Sequence, residues 1–321
     1  MMLGRALGFS AVLCAGIAQA QSPEALAWLR RIQDATHRLS YTGTFVYQNG
    51  SRSETSRITR YVDASGDIEK VEVMDGVPRE IVRTRDAVRC YLPEARVVKV
   101  EHPLDRSAMA ERGFPSFLPE RINELAKHYD IALGPNERVA GFDCRTLTLK
   151  PKDELRYGHT LYADANSAML LKAATLGPQG ELIEQFMFTQ LVIGGVSRDK
   201  VRPRHVAQSW RVEDSAAAPA SFPGWGLSSE LPGFRKVAEL KRRVGDAGPV
   251  GQMVYSDGLA AVSVFIAPME GRRDPAPAGL ASVGAIHIYT RQVANHMVTV
   301  VGEAPAASVQ RIANSVEFRR P

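Results

Sequence analysis

The segment ELIEQFMFTQLVI, residues 181–193, decides the fold because it is apolar on both sides of an extended chain. Successive side chains of a strand point to opposite faces of a sheet. Both alternating series are apolar here, with Leu182, Phe186 and Phe188 in one and Ile183, Met187 and Leu191 in the other. This pattern is typical of a strand that is covered on both faces. We therefore predict a sheet against which other parts of the chain pack.

Further strand patterns surround this segment. Earlier in the chain, YTGTFVYQNG (41–50) places Tyr41, Phe45 and Tyr47 on one side of an extended strand. RYGHTLYAD (156–164) and AMLLKAATL (168–176) are strand patterns as well. The first half of the chain therefore predicts a large sheet made of many strands.

Two helical patterns accompany these strands. The first starts with a Ser22 cap and Pro23, and its apolar positions are Ala25, Trp28, Leu29, Ile32, Ala35 and Leu39. The second starts at Pro119, with Ile122, Leu125, Ala126 and Tyr129 at helical spacing. The helices need an apolar surface on which to pack, and the sheet provides it. We expect an α+β fold in which one curved antiparallel sheet wraps around one or two helices.

The stretch VEVMDGVPREIVRTRDAVRCYLPEARVVKV, residues 71–100, concentrates charged residues between short apolar runs. Asp75-Gly76 is a turn dipeptide, and Pro78 cannot donate a ladder hydrogen bond, so a hairpin with its tip near residue 76 is predicted. Runs of charge in such a setting usually line a solvated face. We interpret the charges as the solvated side of the sheet and not as a catalytic cluster.

A second, smaller α+β domain is predicted after residue 224. Its strand patterns are LPGFRKVAELKRR, GQMVYSDGLAAVSVFIAP, GAIHIYTRQV and NHMVTVVGE, followed by a helix after Pro305 that carries Val309, Ile312 and Val316. The segment before it is rich in Ala, Pro and Ser, which is typical of a linker. The predicted boundaries are 21–205 for the first domain, 206–224 for the linker and 225–321 for the second domain.

The first 20 residues have the pattern of a secretory signal peptide. Arg5 precedes an apolar run from Ala6 to Ile17, and Ala18-Gln19-Ala20 supplies small residues for cleavage. The run is shorter than the roughly 20 residues that span a bilayer. A lipoprotein signal ending at Cys14 is set aside because bulky Leu13 precedes it. We expect an exported mature chain, located in the periplasm.

Export makes the two remaining cysteines, Cys90 and Cys144, candidates for a disulfide. The bond would close a loop of about 55 residues and stabilise by roughly 4 kcal/mol on the chain-entropy model. The alternative is two separate buried thiols, since Cα atoms more than about 7 Å apart cannot be bridged. The sequence leaves both open.

A basic stretch flanks the linker and faces few acids in the sequence. Its candidate docking residues are Arg202, Arg204, Arg211, Arg235, Lys236, Arg242 and Arg243. Nucleic acid is excluded for an exported protein, so anionic lipid headgroups or an acidic partner segment are the expected ligands. An ordinary solvated face is the alternative reading.

Six motifs in order resemble the periplasmic sigma-E regulatory proteins called RseB or MucB. They are MDGVPRE (74–80), YGHTLYAD (157–164), LLKAATLGPQGELIEQFMFTQL (170–191), LPGF (231–234), VYSDGLAAVSVF (254–265) and VTVVGEAP (298–305). The resemblance covers nearly the whole mature chain. It implies an N-terminal domain similar to the lipoprotein carriers LolA and LolB, which is an open, curved antiparallel β half-barrel over helices with an apolar cavity. It also implies a small C-terminal domain.

The same resemblance implies a function. The two domains are expected to bind the periplasmic domain of a membrane-spanning anti-sigma factor of the RseA or MucA type and shield it from regulatory proteolysis. Lipopolysaccharide or another acylated ligand is expected to relieve that protection. The implied role is negative regulation of the envelope stress response, and the sequence leaves self-association as a homo-oligomer open.

Apolar residues on the first helix and on two strands are the candidates for an acyl-binding space, because helix and sheet must meet on their apolar sides. They are Trp28, Leu29, Phe45, Tyr47, Phe186 and Phe188. The alternative for each of them is an ordinary filled core.

The sequence motifs do not support an enzyme function. Ser197-Arg198-Asp199-Lys200 matches Ser-x-x-Lys, but no Lys-Thr-Gly follows, and no Gly-x-Ser-x-Gly elbow is present. The histidines show no metal-ligand spacing and no phosphate-binding glycine loop precedes a helix. We predict a binding protein without catalytic residues, metal or cofactor. The second candidate function is a periplasmic lipid or lipoprotein carrier, for which residues 225–321 have no evident use.

Overall fold

The computed structural model describes residues 22–102, 122–205, 209–214, 218–243, 248–269 and 279–319. The predicted signal peptide and Pro119 lie outside these residues. Three α-helices are present in the described chain: α1 (Pro23–Arg38), α2 (Ile122–His128) and α3 (Ala306–Ser315). A short 3-10 helix covers Arg198–Val201.

The N-terminal domain is built on a sheet of 13 strands. Their bounds are β1 Tyr41–Asn49, β2 Arg52–Asp63, β3 Gly66–Val73, β4 Glu80–Arg83, β5 Val88–Leu92, β6 Val97–Glu101, β7 Tyr129–Leu133, β8 Glu137–Val139, β9 Phe142–Pro151, β10 Gly158–Asp164, β11 Leu170–Leu176, β12 Leu182–Ile193 and β13 Arg211–Asp214. The order is β13-β6-β5-β4-β3-β2-β1-β12-β11-β10-β9-β7, with β8 paired to β9. Every pair is antiparallel except β13 with β6.

Helix α1 forms as the sequence predicts. The side chain of Ser22 accepts a hydrogen bond from the amide of Ala25, and Pro23 occupies the first turn. Its apolar stripe is buried in the core together with strands from both halves of the sheet. The predicted α+β class and the large antiparallel sheet around helices are therefore confirmed. Helix α2 ends at His128, and Tyr129 belongs to β7, where it pairs with Pro151, so the predicted helical position of Tyr129 is wrong.

The β1–β12 pairing joins the two halves of the sheet, since Tyr41 lies opposite Ile193. A register shift between Thr44 and Phe45 interrupts that pairing. Such a bulge increases the local twist of a sheet. The prediction that β12 is covered on both faces is wrong in part, because Leu182 is 45% exposed and Ile183 and Met187 are only half-buried. Of the six apolar residues that define the pattern, Phe188 and Leu191 are buried.

The stretch 71–100 folds as the predicted hairpins β3 to β6, and Asp75 accepts a hydrogen bond from the amide of Thr55. Asp75, Arg79, Arg85 and Asp86 are exposed, as expected for a solvated face. Glu72 and Glu80 are exceptions, with 8% and 3% exposure, and Arg83 and Arg89 are half-buried. The chain after the 3-10 helix covers Glu72 and Glu80 on the outer face of the sheet.

Two contacts hold this covering segment in place. The amide of Arg204 donates to the Glu80 carboxylate over 3.0 Å, and Lys70 Nζ donates to the carbonyl of Arg202 over 3.3 Å. Burial raises the pKa of Glu80, while the hydrogen bond from Arg204 opposes this shift. The segment then supplies β13, so the predicted linker 206–224 contains strand structure in its described residues.

The C-terminal domain carries a seven-stranded sheet of order β14-β16-β17-β18-β21-β20-β19, and β15 pairs separately with β22. The bounds are β14 Ala218–Pro219, β15 Trp225–Leu227, β16 Arg235–Arg243, β17 Pro249–Ser256, β18 Ala261–Pro268, β19 Gly279–Val283, β20 Ile286–Val293, β21 His296–Gly302 and β22 Val316–Phe318. Helix α3 buries Val309 and Ile312 against this sheet. Val316, predicted as helical, starts β22 and is buried there.

The two cysteines do not form the predicted disulfide, because both are free. Cys90 lies on β5 and Cys144 on β9, and seven strands separate β5 from β9 in the sheet. Neighbouring strands are about 4.8 Å apart, whereas a disulfide needs Cα atoms within about 7 Å. Burial raises the pKa of both thiols, to about 11 for Cys144. They are structural thiols, the alternative that the sequence left open.

Candidate functional site

Four of the predicted cavity residues form one continuous aromatic strip on β1 and β12. Phe45 lies directly opposite Phe188, and Tyr47 lies directly opposite Phe186. The ring centroids are 6.1 Å apart for Phe45–Phe188, 6.1 Å for Phe45–Phe186 and 4.4 Å for Tyr47–Phe186. We call Phe45, Tyr47, Phe186 and Phe188 the aromatic strip. The strand register brings these side chains together on the face that α1 covers.

Burial changes along the aromatic strip. Phe188 is 1% exposed and Phe45 is 6% exposed, whereas Tyr47 and Phe186 are half-buried. All four belong to, or pack against, the main core cluster. The strip is thus closed at its Phe188 end and partly open at its Tyr47 end.

The two helical candidates, Trp28 and Leu29, lie in the same core cluster and are buried. The guanidinium carbon of Arg31 lies 3.9 Å from the ring centroid of Trp28, which is the geometry of a cation–π contact. Trp28 and Leu29 therefore line the closed part of the helix–sheet layer.

A group of polar side chains surrounds the open end of the aromatic strip. The Tyr47 hydroxyl donates to Glu184 over 2.8 Å and accepts from Asn49 Nδ2 over 2.9 Å. The Thr175 hydroxyl donates to the second Glu184 oxygen over 3.3 Å. Burial raises the pKa of Tyr47 far above its usual range. We call Tyr47, Asn49 and Glu184 the polar rim.

A charged network shares the inner face with the aromatic strip. Arg60 pairs with Asp67 at 2.8 Å and with Glu69 at 3.5 Å, and Arg83 pairs with Glu69 at 2.6 Å. Tyr41 lies opposite Arg60 in the register and is fully buried. Within the described part of the chain its hydroxyl has no hydrogen-bond partner, and burial followed by the charge of Glu69 raises its pKa. The inner face is therefore polar as well as aromatic, which the sequence did not indicate.

The predicted docking residues are mostly paired with acids. The five ion pairs are Arg202–Asp199 at 3.0 Å, Arg204–Glu72 at 2.8 Å, Arg211–Glu213 at 2.7 Å, Lys236–Glu239 at 2.6 Å and Arg242–Glu101 at 3.6 Å. The expectation that this stretch faces few acids is wrong for these five. Asp199, Glu213 and Glu239 lie within three residues of their partners in the sequence, whereas folding brings in Glu72 and Glu101 from the N-terminal sheet.

Arg235 and Arg243 are exposed and form no ion pair with a described residue. They lie at opposite ends of the nine-residue strand β16. A strand of that length spans about 27 Å, because each residue advances it by about 3.4 Å. Arg235 and Arg243 are therefore far apart on this strand.

The sequence reading missed the most buried charge in the described chain, Arg156. Its side chain is fully buried between the domains, as is that of its partner Asp257, and the two atoms Nη1 and Oδ2 are 2.8 Å apart. The Nε of Arg156 also pairs with Asp153 at 3.0 Å, and Nη2 donates to the carbonyl of Pro232. We call Arg156, Asp153, Asp257 and the Pro232 carbonyl the domain clamp.

Neighbouring contacts complete the domain clamp. The second oxygen of Asp257 accepts hydrogen bonds from the amides of Leu259 and Ala260, at 2.9 and 2.8 Å. The Ser308 hydroxyl at the start of α3 donates to the carbonyl of Leu155 over 2.6 Å. Every polar atom of the ion pair thus has a partner, which is the condition under which a buried pair is tolerated.

The residues that meet at this junction lie in or directly beside three of the quoted motifs. Pro232 lies in LPGF, Asp257 lies in VYSDGLAAVSVF, and Arg156 immediately precedes YGHTLYAD. Sequence alone gave no reason to place these three segments side by side. Their meeting point depends on how the two domains pack.

Other classes of site find little support in the described residues. Within them, no group of three or more His, Cys, Asp or Glu side chains is placed to hold a metal ion. The helices that the structure describes include none that is long and apolar enough to span a membrane.

Comparisons with known proteins agree with both domains. Residues 24–210 match the MucB/RseB N-terminal domain, and residues 219–317 match the MucB/RseB C-terminal domain. The chain is 30% identical over 309 residues to the sigma factor AlgU regulatory protein MucB of Pseudomonas aeruginosa, with 92% of each chain covered. It is 24% identical over 306 residues to the sigma-E factor regulatory protein RseB of Escherichia coli, again with 92% of each covered.

Solved structures extend the similarity to the fold. The MucA/MucB complex of Pseudomonas aeruginosa matches with a TM-score of 0.72 at 28% identity, covering 93% of this chain and 100% of the other. A crystal structure of MucB matches with a TM-score of 0.68 at 30% identity, covering 93% and 99%. Both domains are matched in sequence and in structure, and the chain therefore belongs to the MucB/RseB family.

Proposed function

We propose that this protein is a periplasmic negative regulator of a sigma-E-type envelope stress response. It binds the periplasmic domain of a membrane-spanning anti-sigma factor and shields that domain from the regulatory protease. The observation that carries this proposal is the match, along almost the whole chain, to MucB solved in complex with the periplasmic part of MucA. A binding protein of this kind acts by occupancy and needs no catalytic group.

The domain clamp supports the use of both domains together. A fully buried ion pair that spans the junction favours one relative orientation, because separating the domains would leave each charge without its partner. A partner segment that contacts both domains then meets a preformed surface. Such preorganisation lowers the entropic cost of binding.

The ligand that relieves protection is, on this proposal, lipopolysaccharide or another acylated molecule that contacts the aromatic strip. Among the six cavity candidates, Tyr47 and Phe186 are the accessible pair, because they are half-buried while the others are buried. A ligand shifts a binding equilibrium only by its differential affinity for the two states. The acylated ligand must therefore bind the partner-free protein more tightly than the complex.

A protection assay tests the proposal. The mature chain, the cognate anti-sigma periplasmic domain and the activated protease are mixed, and cleavage is followed with and without lipopolysaccharide. We expect saturating protein to slow cleavage at least tenfold and lipopolysaccharide to restore it. Residues 21–205 alone should protect less than the whole mature chain.

Equal cleavage with and without saturating protein would refute the regulatory proposal. The carrier function would then be the better account, because it uses the aromatic strip without a signalling partner. If protection is seen but lipopolysaccharide does not relieve it, the partner is right and the ligand is wrong.

A further inference from the structure

The tip of the β19–β20 hairpin of the C-terminal domain lies against the N-terminal sheet. Gly284 at this tip touches Asn49 so closely that a Cβ atom at position 284 would clash with the Asn49 side-chain amide. Its neighbour Ala285 is 1% exposed. Hairpin tips are ordinarily among the most exposed parts of a protein. Gly284 keeps an exposed face, but its contact with Asn49 and the burial of Ala285 seat the tip on the end of β1.

That seat is the open end of the aromatic strip. Asn49, which touches Gly284, also donates to the Tyr47 hydroxyl. Tyr47 in turn stacks against Phe186 at 4.4 Å. The hairpin tip therefore contacts the polar rim, and the polar rim contacts the half-buried end of the aromatic strip.

A second contact joins the same hairpin to the N-terminal domain. The hydroxyl of Tyr157 lies 3.5 Å from Nδ1 of His287 on β20, and that nitrogen lies 3.0 Å from the carbonyl oxygen of Ala304. Burial, followed by the charge of Glu184, raises the pKa of Tyr157 to about 12, so its hydroxyl stays protonated. The hairpin thus meets the N-terminal domain at two points, by close packing at Gly284 and by a polar contact at His287.

The rest of the hairpin is free of such restraint within the described chain. Strand β19 is the outer strand of its sheet, and all five of its residues are exposed. No ion pair between described residues joins β19 or the hairpin tip to the N-terminal domain, in contrast to the fully buried clamp at Asp257. The hairpin side of the junction is therefore the weaker side.

We propose that the β19–β20 hairpin is a lid on the aromatic strip, and that an acyl chain passes Tyr47 and Phe186 toward buried Phe45 and Phe188 only when the hairpin tip leaves Asn49. This inference rests on the acylated ligand of the proposed function. The domain clamp stays closed and acts as the fixed side, while the contact between Gly284 and Asn49 opens. Ligand binding then changes the angle between the domains and, with it, the surface that the partner contacts.

A disulfide lock tests the lid. The variant N49C/G284C, made in a chain that also carries C90A and C144A, joins the tip to β1 when oxidised. Binding of cis-parinaric acid, a fluorescent fatty acid, is measured by titration before and after reduction with dithiothreitol. We expect oxidation to weaken probe binding at least tenfold and reduction to restore it.

The single variants N49C and G284C in the same cysteine-free chain are the controls, and their probe binding should not respond to oxidation. Equal binding by the oxidised and reduced double variant would overturn the lid. If the reduced protein and the wild type both fail to bind the probe, the lid and the acyl ligand are refuted together. The protease-protection result, measured without lipid, is independent of both.

The substitution N49A provides a test that needs no disulfide. It removes the side chain that seats the tip, so the probe should associate at least threefold faster in stopped-flow measurements. The matched control is Q48A, on the neighbouring residue of the same strand. An association rate unchanged by N49A would contradict the lid even if the locked variant did not fold.

Discussion

The two sides of the domain junction differ in how they are held together. On one side, the domain clamp joins Arg156 and Asp257, whose side chains are both fully buried. On the other side, Gly284 at the tip of the β19–β20 hairpin contacts Asn49, and Nδ1 of His287 lies 3.5 Å from the Tyr157 hydroxyl. The clamp is a buried ion pair, whereas no ion pair between described residues joins the domains at the hairpin.

This difference shows that burial, more than the type of group, sets the energy of a polar contact. Removing one partner from a buried ion pair leaves an uncompensated charge, which costs about 3–5 kcal/mol. A neutral hydrogen bond contributes about 1 kcal/mol net, because water competes for both partners. An exposed ion pair contributes less still. The expected loss of stability therefore decreases from the buried ion pair to the neutral hydrogen bond and then to the exposed ion pair.

The largest effect is expected for Arg156→Ala. The variant leaves Asp257 buried without its cation, so the free energy of unfolding should fall by about 3–5 kcal/mol. Urea unfolding followed by far-UV circular dichroism measures the loss, and domain separation should appear as an earlier, separate transition. Arg211→Ala, at an exposed ion pair, is the control.

Asp257→Asn separates the contribution of the charge from that of the hydrogen bonds in the turn. Asparagine keeps the oxygen that accepts from the amides of Leu259 and Ala260, but it removes the charge. We expect a smaller loss than for Asp257→Ala, which also removes those turn contacts. A change of less than about 1 kcal/mol for Arg156→Ala would show that the clamp does not hold the domains.

An intermediate effect is expected from His159, which lies on β10 beside Thr175. Burial lowers its pKa from 6.5 to about 4. The unfolded chain therefore takes up this proton more readily than the folded chain, so stability is fully present above pH 6.5 and is lost as pH falls toward 4. The expected loss is on the order of 2 kcal/mol.

The pH dependence is measured by urea unfolding of wild type and His159→Gln between pH 7 and pH 4. The variant should lose less stability than wild type over this interval. His37→Gln, at an exposed position on α1, should follow wild type. Parallel curves for wild type and His159→Gln would mean that His159 does not contribute.

A smaller effect is expected for Asn49→Ala at the polar rim. The substitution removes one hydrogen bond to Tyr47 and the contact with Gly284, so the expected loss is about 1 kcal/mol. Thermal unfolding with Gln48→Ala as the control measures it. A loss as large as that of Arg156→Ala would remove the distinction between the two sides of the junction.

The smallest effect is expected for Arg202→Ala. Arg202 and Asp199 form an ion pair whose side chains are 75% and 74% exposed, so stability should change by less than about 0.5 kcal/mol. Affinity for the anti-sigma domain is the informative measurement for the cations. If they dock the partner, Arg235→Ala and Arg243→Ala should weaken binding at low salt and lose that effect as salt rises. Unchanged affinity at low salt would make them an ordinary solvated face.

Much of the local structure could be predicted from the sequence. The Ser22 cap and the apolar spacing of α1, the Asp75-Gly76 turn and the alternation in β1 are short-range signals, and each is found at its predicted place. Strand β12 is also present, but it is not covered on both faces along its whole length. Tyr129 and Val316 were misplaced because a helix period continues equally well into the first residue of a strand. Strand pairing decided those two positions.

The sequence by itself determined the α+β class, the presence of enough helices and strands for two domains, and the family. These depend on patterns along the chain. Only the tertiary structure decided which distant residues meet. It separated Cys90 from Cys144, paired Arg204 and Arg242 with acids from the N-terminal sheet, and buried Arg156 against Asp257, about 100 residues away. The physical reason is that burial and charge pairing depend on neighbours in space, and strand order sets those neighbours without leaving a periodic signal in the sequence.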